Sequence, residues 1–229
     1  MSDRIAIYKY VDIVREHWLK DDLHLSEFTI AEATNWLNAL KNKRFQKNIW
    51  KQQMNEHGVN DTILGSFRFQ LTNFQNNTPW FNEIKQQVQN KLNSIMKHFK
   101  IVFQSVLWST PGGPIQREHQ DYHSLDFPVF SIIVSMDDST TLDIVEGSSR
   151  RRKIRILQGE CLIFTGELLH AGSSYTAPNR RLFFKAIPFH AELPTKSGDT
   201  VYTSLLYCDK CHYSFTDRFQ RDHHNRQGN

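Results

Sequence analysis

The sequence predicts an α+β protein in which N-terminal helices support an antiparallel jelly roll, or double-stranded β-helix, core. Three observations predict it. Apolar residues recur at helical spacing through most of the first hundred residues. From residue 101 they gather into short β-branched and aromatic runs, and clusters of Gly, Pro, Asp and Ser punctuate those runs. The expected organisation is one domain over residues 1–194, with helical support over 1–100 and a strand-rich core over 101–190, followed by a polar tail over 195–229.

The elements follow in order. YKYVDIVREHWLK (8–20) places Tyr10, Ile13, Val14 and Trp18 near one face, and TIAEATNWLNALKNKR (29–44) does the same with Ile30, Ala33, Trp36, Leu37 and Leu40. Thr78 as N-cap with Pro79 at the first helical position opens PWFNEIKQQVQNKLNSIMKHF (79–99), whose stripe is Phe81, Ile84, Val88, Leu92 and Ile95. Between these helices GSFRFQLTNFQ (65–75) alternates like a half-buried strand, and the Asn-rich stretch after it reads as a turn. The strands of the second half are IVFQSVLWS, FPVFSIIVSM, TLDIVEG, RKIRIL, ECLIFTG and RRLFFKAIPF, separated by PGG, DDST, GSSRR, QGE and TAPN. No internal repeat is visible.

A chain of 229 residues can bury a sizeable core. Lys and Arg total 28 against 24 Asp and Glu, a net charge of +4, which permits a polyanionic partner without requiring one. Three cysteines, Cys161, Cys208 and Cys211, cannot all pair, no secretory signal pattern is seen, and no apolar run reaches the roughly 20 residues that span a bilayer. The expectation is a soluble intracellular protein of cytoplasm or nucleus with no membrane partner; the sequence leaves its oligomeric state open.

The chemistry concentrates in His119 and Asp121 of WSTPGGPIQREHQDYH and His170 of GECLIFTGELLHAGSSY. Residues i and i+2 of an extended segment point the same way, so His119 and Asp121 can hold one ion together. His170 ends a later apolar run that folding can bring opposite them. Two imidazoles and one carboxylate on one face of an ion form the non-haem Fe(II) oxygenase arrangement.

With an aromatic strand and PGG turn before His119-x-Asp121, a strand from Gly159 to Phe164, the distal His170 and an arginine downstream, residues 101–190 resemble the Fe(II)/2-oxoglutarate-dependent dioxygenases. The likeness is greatest to short-core members such as the prolyl-hydroxylase-like enzymes and the oxidative DNA-repair demethylases. It implies that His119, Asp121 and His170 bind Fe(II) and that 2-oxoglutarate is the cosubstrate with O2. It also implies that a basic residue on the last core strand binds the far carboxylate, and that a C–H bond is hydroxylated or a methyl group removed. Arg180 and Arg181 compete for the carboxylate because neighbours on a strand face opposite ways. The Asn179-x-Arg181-Leu182 context favours Arg181, with Arg180 as the alternative. The substrate is unidentified; the charge and the tail tilt the expectation toward protein or nucleic acid. The alternative reading is a non-catalytic, cupin-like metal-binding module that engages nucleic acid or protein.

Three further features stand apart. Cys208-x-x-Cys211 with Tyr207, Phe215 and His224 resembles the start of a two-Cys-two-His zinc finger, but no histidine follows His224, so His223 or His212 would have to complete the zinc site. The run Arg150–Arg155 reads as a solvated hairpin, able to guide an anionic substrate if it borders the site. Cys161, inside an apolar strand, reads as a small core residue.

Overall fold

The computed structural model describes residues 18–42, 51–52, 68–71, 78–116, 118–121, 127–146, 150–192, 206–207 and 214–215. Their strands are β1 (Trp18–Asp22), β2 (Lys51–Gln52), β3 (Arg68–Leu71), β4 (Phe99–Ser109), β5 (Phe130–Ser135), β6 (Thr140–Glu146) and β7 (Arg150–Ile156). After these come β8 (Glu160–Thr165), β9 (His170–Gly172), β10 (Asn179–Pro188), β11 (Leu206–Tyr207) and β12 (Ser214–Phe215); the helices are α1 (Glu27–Asn42) and α2 (Pro79–Ile95). A major sheet of order β1-β8-β5-β10-β4-β3-β2 faces a minor sheet of order β7-β6-β9, and β11 pairs with β12. The named pairings are antiparallel throughout. This is the jelly roll the strand rhythm predicts, with two helices against it.

Side-chain alternation assigns the two faces of the major sheet. Val106 and Trp108 of β4, Phe130, Ile132 and Val134 of β5, Cys161 and Ile163 of β8, and Leu182, Phe184 and Ala186 of β10 form one core with the helices. α1 contributes Ala33 and Leu37, and α2 contributes Trp80, Phe81, Ile84, Val88 and Leu92. The intervening residues face the minor sheet, where Ile133, Leu162, Phe164 and Phe183 meet Leu142, Ile144, Ile154 and Ile156. Burial pushes the Cys161 thiol up to about 12, with the charge of Asp21 adding to the effect, so it stays a neutral core side chain.

The helix ends have local causes. The Ser26 hydroxyl accepts the Thr29 N–H at 3.1 Å, capping α1, and the Thr29 hydroxyl donates to Glu83 of α2. Pro79 opens α2 as expected, but Thr78 makes no side-chain cap bond; its carbonyl accepts the Asn82 N–H at 3.1 Å. α2 ends at Ile95 rather than at residue 99, because His98 turns the chain at φ 69° and Phe99 already pairs with Pro188.

Trp18–Lys20, expected as the end of a helix over 8–20, is strand instead, and residues 8–17 lie outside the described residues. β1 caps the edge of β8, pairing Trp18 with Phe164 and Asp22 with Glu160, and Lys20 meets Glu160 at 2.9 Å. An edge strand that completes a sheet satisfies its backbone there, which outweighs a weak helical preference.

Phe81 lies fully buried and stacks on Phe184 at 6.1 Å, fastening α2 to the sheet. Phe81→Ala should lower stability by about 3–5 kcal/mol in urea unfolding; a loss under about 1 kcal/mol would show that the helix layer does not depend on this contact.

Candidate metal centre

The two histidines are brought together by the backbone. His119 N–H donates to the His170 carbonyl at 2.9 Å, and His170 N–H donates to the His119 carbonyl at 3.0 Å. That bridge attaches the 119–120 segment to β9 at the rim of the minor sheet and sets the two rings 4.4 Å apart, tilted by 52°. Asp121, two residues on, turns to the major sheet, where Ser131 of β5 donates to its carboxylate. The three side chains are buried, and one ligand atom from each lies within 4.8 Å of the others.

The spacing suits an ion better than a hydrogen-bonded network. Asp121 Oδ1 is 4.0 Å from Nε2 of His119 and 4.0 Å from Nε2 of His170, beyond hydrogen-bond reach. Neighbouring ligands on one octahedral face, at bonds of about 2.1 Å, lie about 3 Å apart, so the three groups reach a shared ion by closing about 1 Å. His170 Nδ1 is 2.8 Å from the Leu168 carbonyl. A carbonyl can only accept, so Nδ1 carries a proton, and in the neutral ring that would bind a metal the Nε2 lone pair faces the cluster. Phe164 packs edge-on against the His170 ring at 4.8 Å. Burial works against ionisation of Asp121, but His170, Lys185, His119 and the Ser131 hydroxyl outweigh it and hold the carboxyl below its usual range. A buried carboxylate with two facing imidazoles is a donor set that fits a divalent cation of the iron or zinc type.

The two arginines separate as strand parity requires. Arg180 lies on the helix face: it pairs with Asp137 at 2.5 Å and donates to Asn38 of α1 at 2.7 Å. Arg181 points between the sheets and is buried, donating to Ser109 Oγ at 2.7 Å and Tyr175 Oη at 3.0 Å. Its Nε has no partner, and it meets no carboxylate among the described residues. An uncompensated guanidinium in this space is suited to an anionic ligand.

The sequence reading did not single out the groups around this core. Arg68 of β3 is buried; its NH2 donates to the carbonyls of Pro114, Gly172 and Ser173 at 2.8–2.9 Å, and its NH1 donates to Ser109 Oγ at 3.3 Å. Desolvation, then the neighbouring Arg181 charge, lowers Arg68 to about 10. Lys185, on the same face of β10 as Arg181, has its ammonium 5.6 Å from the rings of Phe103 and Phe183. The one advance signal was Arg68 itself, a charge inside the alternating aromatic run FRF.

The basic run forms β7 itself. Arg151, Arg152, Lys153 and Arg155 are exposed; Arg151 reaches the buried Glu118 at 2.8 Å, beside His119, and Arg152 lies over the Trp18 ring at 5.0 Å. His123, Cys208, Cys211, His212, His223 and His224 lie outside the described residues, and the zinc expectation with them. No helix of the described residues is long and apolar enough to cross a membrane.

No protein-family model and no curated protein matches the chain. Solved structures do. A Trichoplax adhaerens prolyl hydroxylase, in complex with a hypoxia inducible factor oxygen degradation domain peptide fragment, superposes with TM-score 0.59 at 11% identity over 81% of this chain and 89% of its own. A Pseudomonas putida prolyl-4-hydroxylase gives TM-score 0.56 at 12% identity, covering 79% of this chain and 97% of its own. The epimerase SnoN, with Fe3+, alpha ketoglutarate (2-oxoglutarate) and nogalamycin RO, gives 0.59 at 11% over 87% and 94%. At these identities the likeness is one of fold: the double-stranded β-helix of 2-oxoglutarate-dependent oxygenases.

Mn(II) at a hundred times its dissociation constant should stabilise the chain by about 2.7 kcal/mol, read as a rise in Tm. Asp121→Ala should abolish that rise, and Ser131→Ala should weaken Mn(II) about ten-fold or more. A wild-type Tm indifferent to Mn(II), or a rise that survives Asp121→Ala, would remove the site.

Proposed function

We propose that this protein is a Fe(II)- and 2-oxoglutarate-dependent dioxygenase that hydroxylates a substrate C–H bond, or demethylates where that carbon is bound to nitrogen. The observation that carries the reading is a buried His119, Asp121 and His170 cluster in the same inter-sheet space as Arg181, a buried cation with no carboxylate partner among the described residues. His119, Asp121 and His170 would hold the iron, and Arg181 the far carboxylate of the oxo acid.

When bound, iron with 2-oxoglutarate and O2 supplies the oxidising chemistry, converting the cosubstrate to succinate and CO2 as the substrate is oxidised. The chain supplies position. Leu168 fixes the His170 ring through Nδ1, and Ser131 fixes the Asp121 carboxylate, so both lone pairs arrive already aimed. Three protein donors leave coordination positions for exchangeable groups. The Arg181 fork fits a carboxylate, and Tyr175 holds it from one side through a hydrogen bond and a ring 5.3 Å from the guanidinium carbon. Phe164 and Phe183 line the same space and keep water from it. Neighbours of this fold hold ligands as different as a peptide fragment and nogalamycin RO.

The purified protein with Fe(II), ascorbate and 2-oxoglutarate should form succinate in an O2-dependent manner. Arg181→Gln should raise the oxoglutarate concentration required about ten- to a hundred-fold, the worth of a charge-assisted pair. Arg180→Ala should leave that requirement unchanged and lower stability by about 1.5–3 kcal/mol, because its partners are Asp137 and Asn38. A defect in oxoglutarate use confined to Arg180→Ala would reverse the assignment, and absence of O2-dependent succinate would contradict the function.

A further inference from the structure

Arg68 is a charge for which the proposed chemistry has no use. It belongs to β3, whereas the triad and Arg181 come from β9, β10 and the 119–121 segment. Yet it is only 4% exposed, and its NH1 donates to the same Ser109 hydroxyl that accepts from Arg181. Two guanidinium groups thus share one oxygen in a buried space, and neither meets a carboxylate among the described residues. Desolvation and like-charge repulsion both oppose that arrangement, and an anion between the groups relieves both.

The approach is built into the backbone. NH2 of Arg68 is taken up by the Pro114, Gly172 and Ser173 carbonyls, which belong to the segments leading to His119 and following His170. These segments are also joined to each other: Gln116 N–H donates to the Gly172 carbonyl at 2.8 Å, and Gly172 N–H donates to Gln116 Oε1 at 3.2 Å. A Cβ at position 172 would fall 2.8 Å from Arg68 NH1 and 2.8 Å from Gln116 Oε1, so a glycine there is what admits the arginine. NH1 has Ser109 Oγ, at 3.3 Å, as its protein partner, and Nε has none.

We propose that Arg68 is a second cation of the oxo-acid pocket, forming with Arg181 a two-guanidinium seat for the distal carboxylate. Its hold on the Pro114 and Gly172–Ser173 carbonyls keeps that seat in register with the segments bearing His119 and His170. The proposal rests on the 2-oxoglutarate reading above. A carboxylate offers about four lone-pair sites, enough to accept from both forks. Two fixed cations favour a second carboxylate and give nothing to an apolar end. Arg68 therefore acts on the choice between dicarboxylic and monocarboxylic 2-oxo acids.

The test is calorimetric binding of two acids to the full chain loaded with Mn(II). One is 2-oxoglutarate; the other is 2-oxovalerate, which keeps the 2-oxo acid head and carries a methyl group in place of the distal carboxylate. Arg68→Gln should weaken 2-oxoglutarate about ten- to a hundred-fold and leave 2-oxovalerate within about two-fold. Equal losses for both acids, or no loss for 2-oxoglutarate, would make Arg68 a structural clasp and overturn the proposal. Should Arg68→Gln not fold, Arg68→Lys is read in the same way, since it keeps the charge and loses the fork. A selective loss of about three-fold or more is then expected, and equal losses, or none, overturn the proposal. A wild-type protein that binds both acids equally would overturn the oxoglutarate reading and this proposal together. A wild type that discriminates beside an Arg68 variant that discriminates just as well would sink only the role of Arg68.

Discussion

Burying the Asp121 carboxylate between two sheets is the constraint on which the rest of the site depends. A lone carboxylate in such a place is costly and would take up a proton. Here two imidazoles, an ammonium and a hydroxyl compensate it, and the carboxyl is held in its ionised form. The compensation comes from both layers: His119 and His170 hang from the rim of the minor sheet, while Ser131 and Lys185 belong to the major sheet. The cluster therefore exists only when the jelly roll has closed, which links assembly of the fold to assembly of the site.

Alternation along the strands does the sorting. On the major sheet, odd-numbered residues over 103–109 of β4 and 181–185 of β10 face the minor sheet and even-numbered residues face the helices, so Arg181, Phe183 and Lys185 enter one space while Leu182, Phe184 and Ala186 enter the other; beyond the register shift between Lys185 and Ala186 the parity of β4 inverts, and Ile101 joins the helix side. Ser105 and Ser109 join the inter-sheet face, as do Arg68 and Gln70 of β3, and Gln70 donates to Ser105 at 3.1 Å. The face is thus polar around Arg68, Gln70, Ser105 and Ser109 and apolar toward β8. A shift of one residue in register would exchange Arg181 for Arg180 and fill the site with the wrong face.

Much of this was legible in the sequence, and the reasons differ from element to element. α2 could be read because its stripe matches its buried residues and Pro79 marks its start. The six core strands could be read because apolar runs bounded by turn residues are local signals. The convergence of His119, Asp121 and His170 was inferred from residue type and order; the family resemblance left Arg180 and Arg181 as candidates, and parity allows only one of them to face inward. β1 was misread because Trp18 packs by virtue of β8, a partner more than a hundred residues away, and no local pattern carries that. Arg68, Ser131 and Tyr175 were missed for the same reason: each acquires its role from a neighbour on another strand. β9 is three residues long, too short for a periodic signal, although it carries His170.

The central claim is that three side chains hold one iron ion open to a chelating oxo acid. The most direct measurement is the visible spectrum of the anaerobic Fe(II) protein as 2-oxoglutarate is added. The account predicts a weak charge-transfer band that saturates with oxoglutarate and is missing from the His170→Ala protein. A wild-type spectrum unchanged by oxoglutarate, or a band that persists without His170, would contradict it.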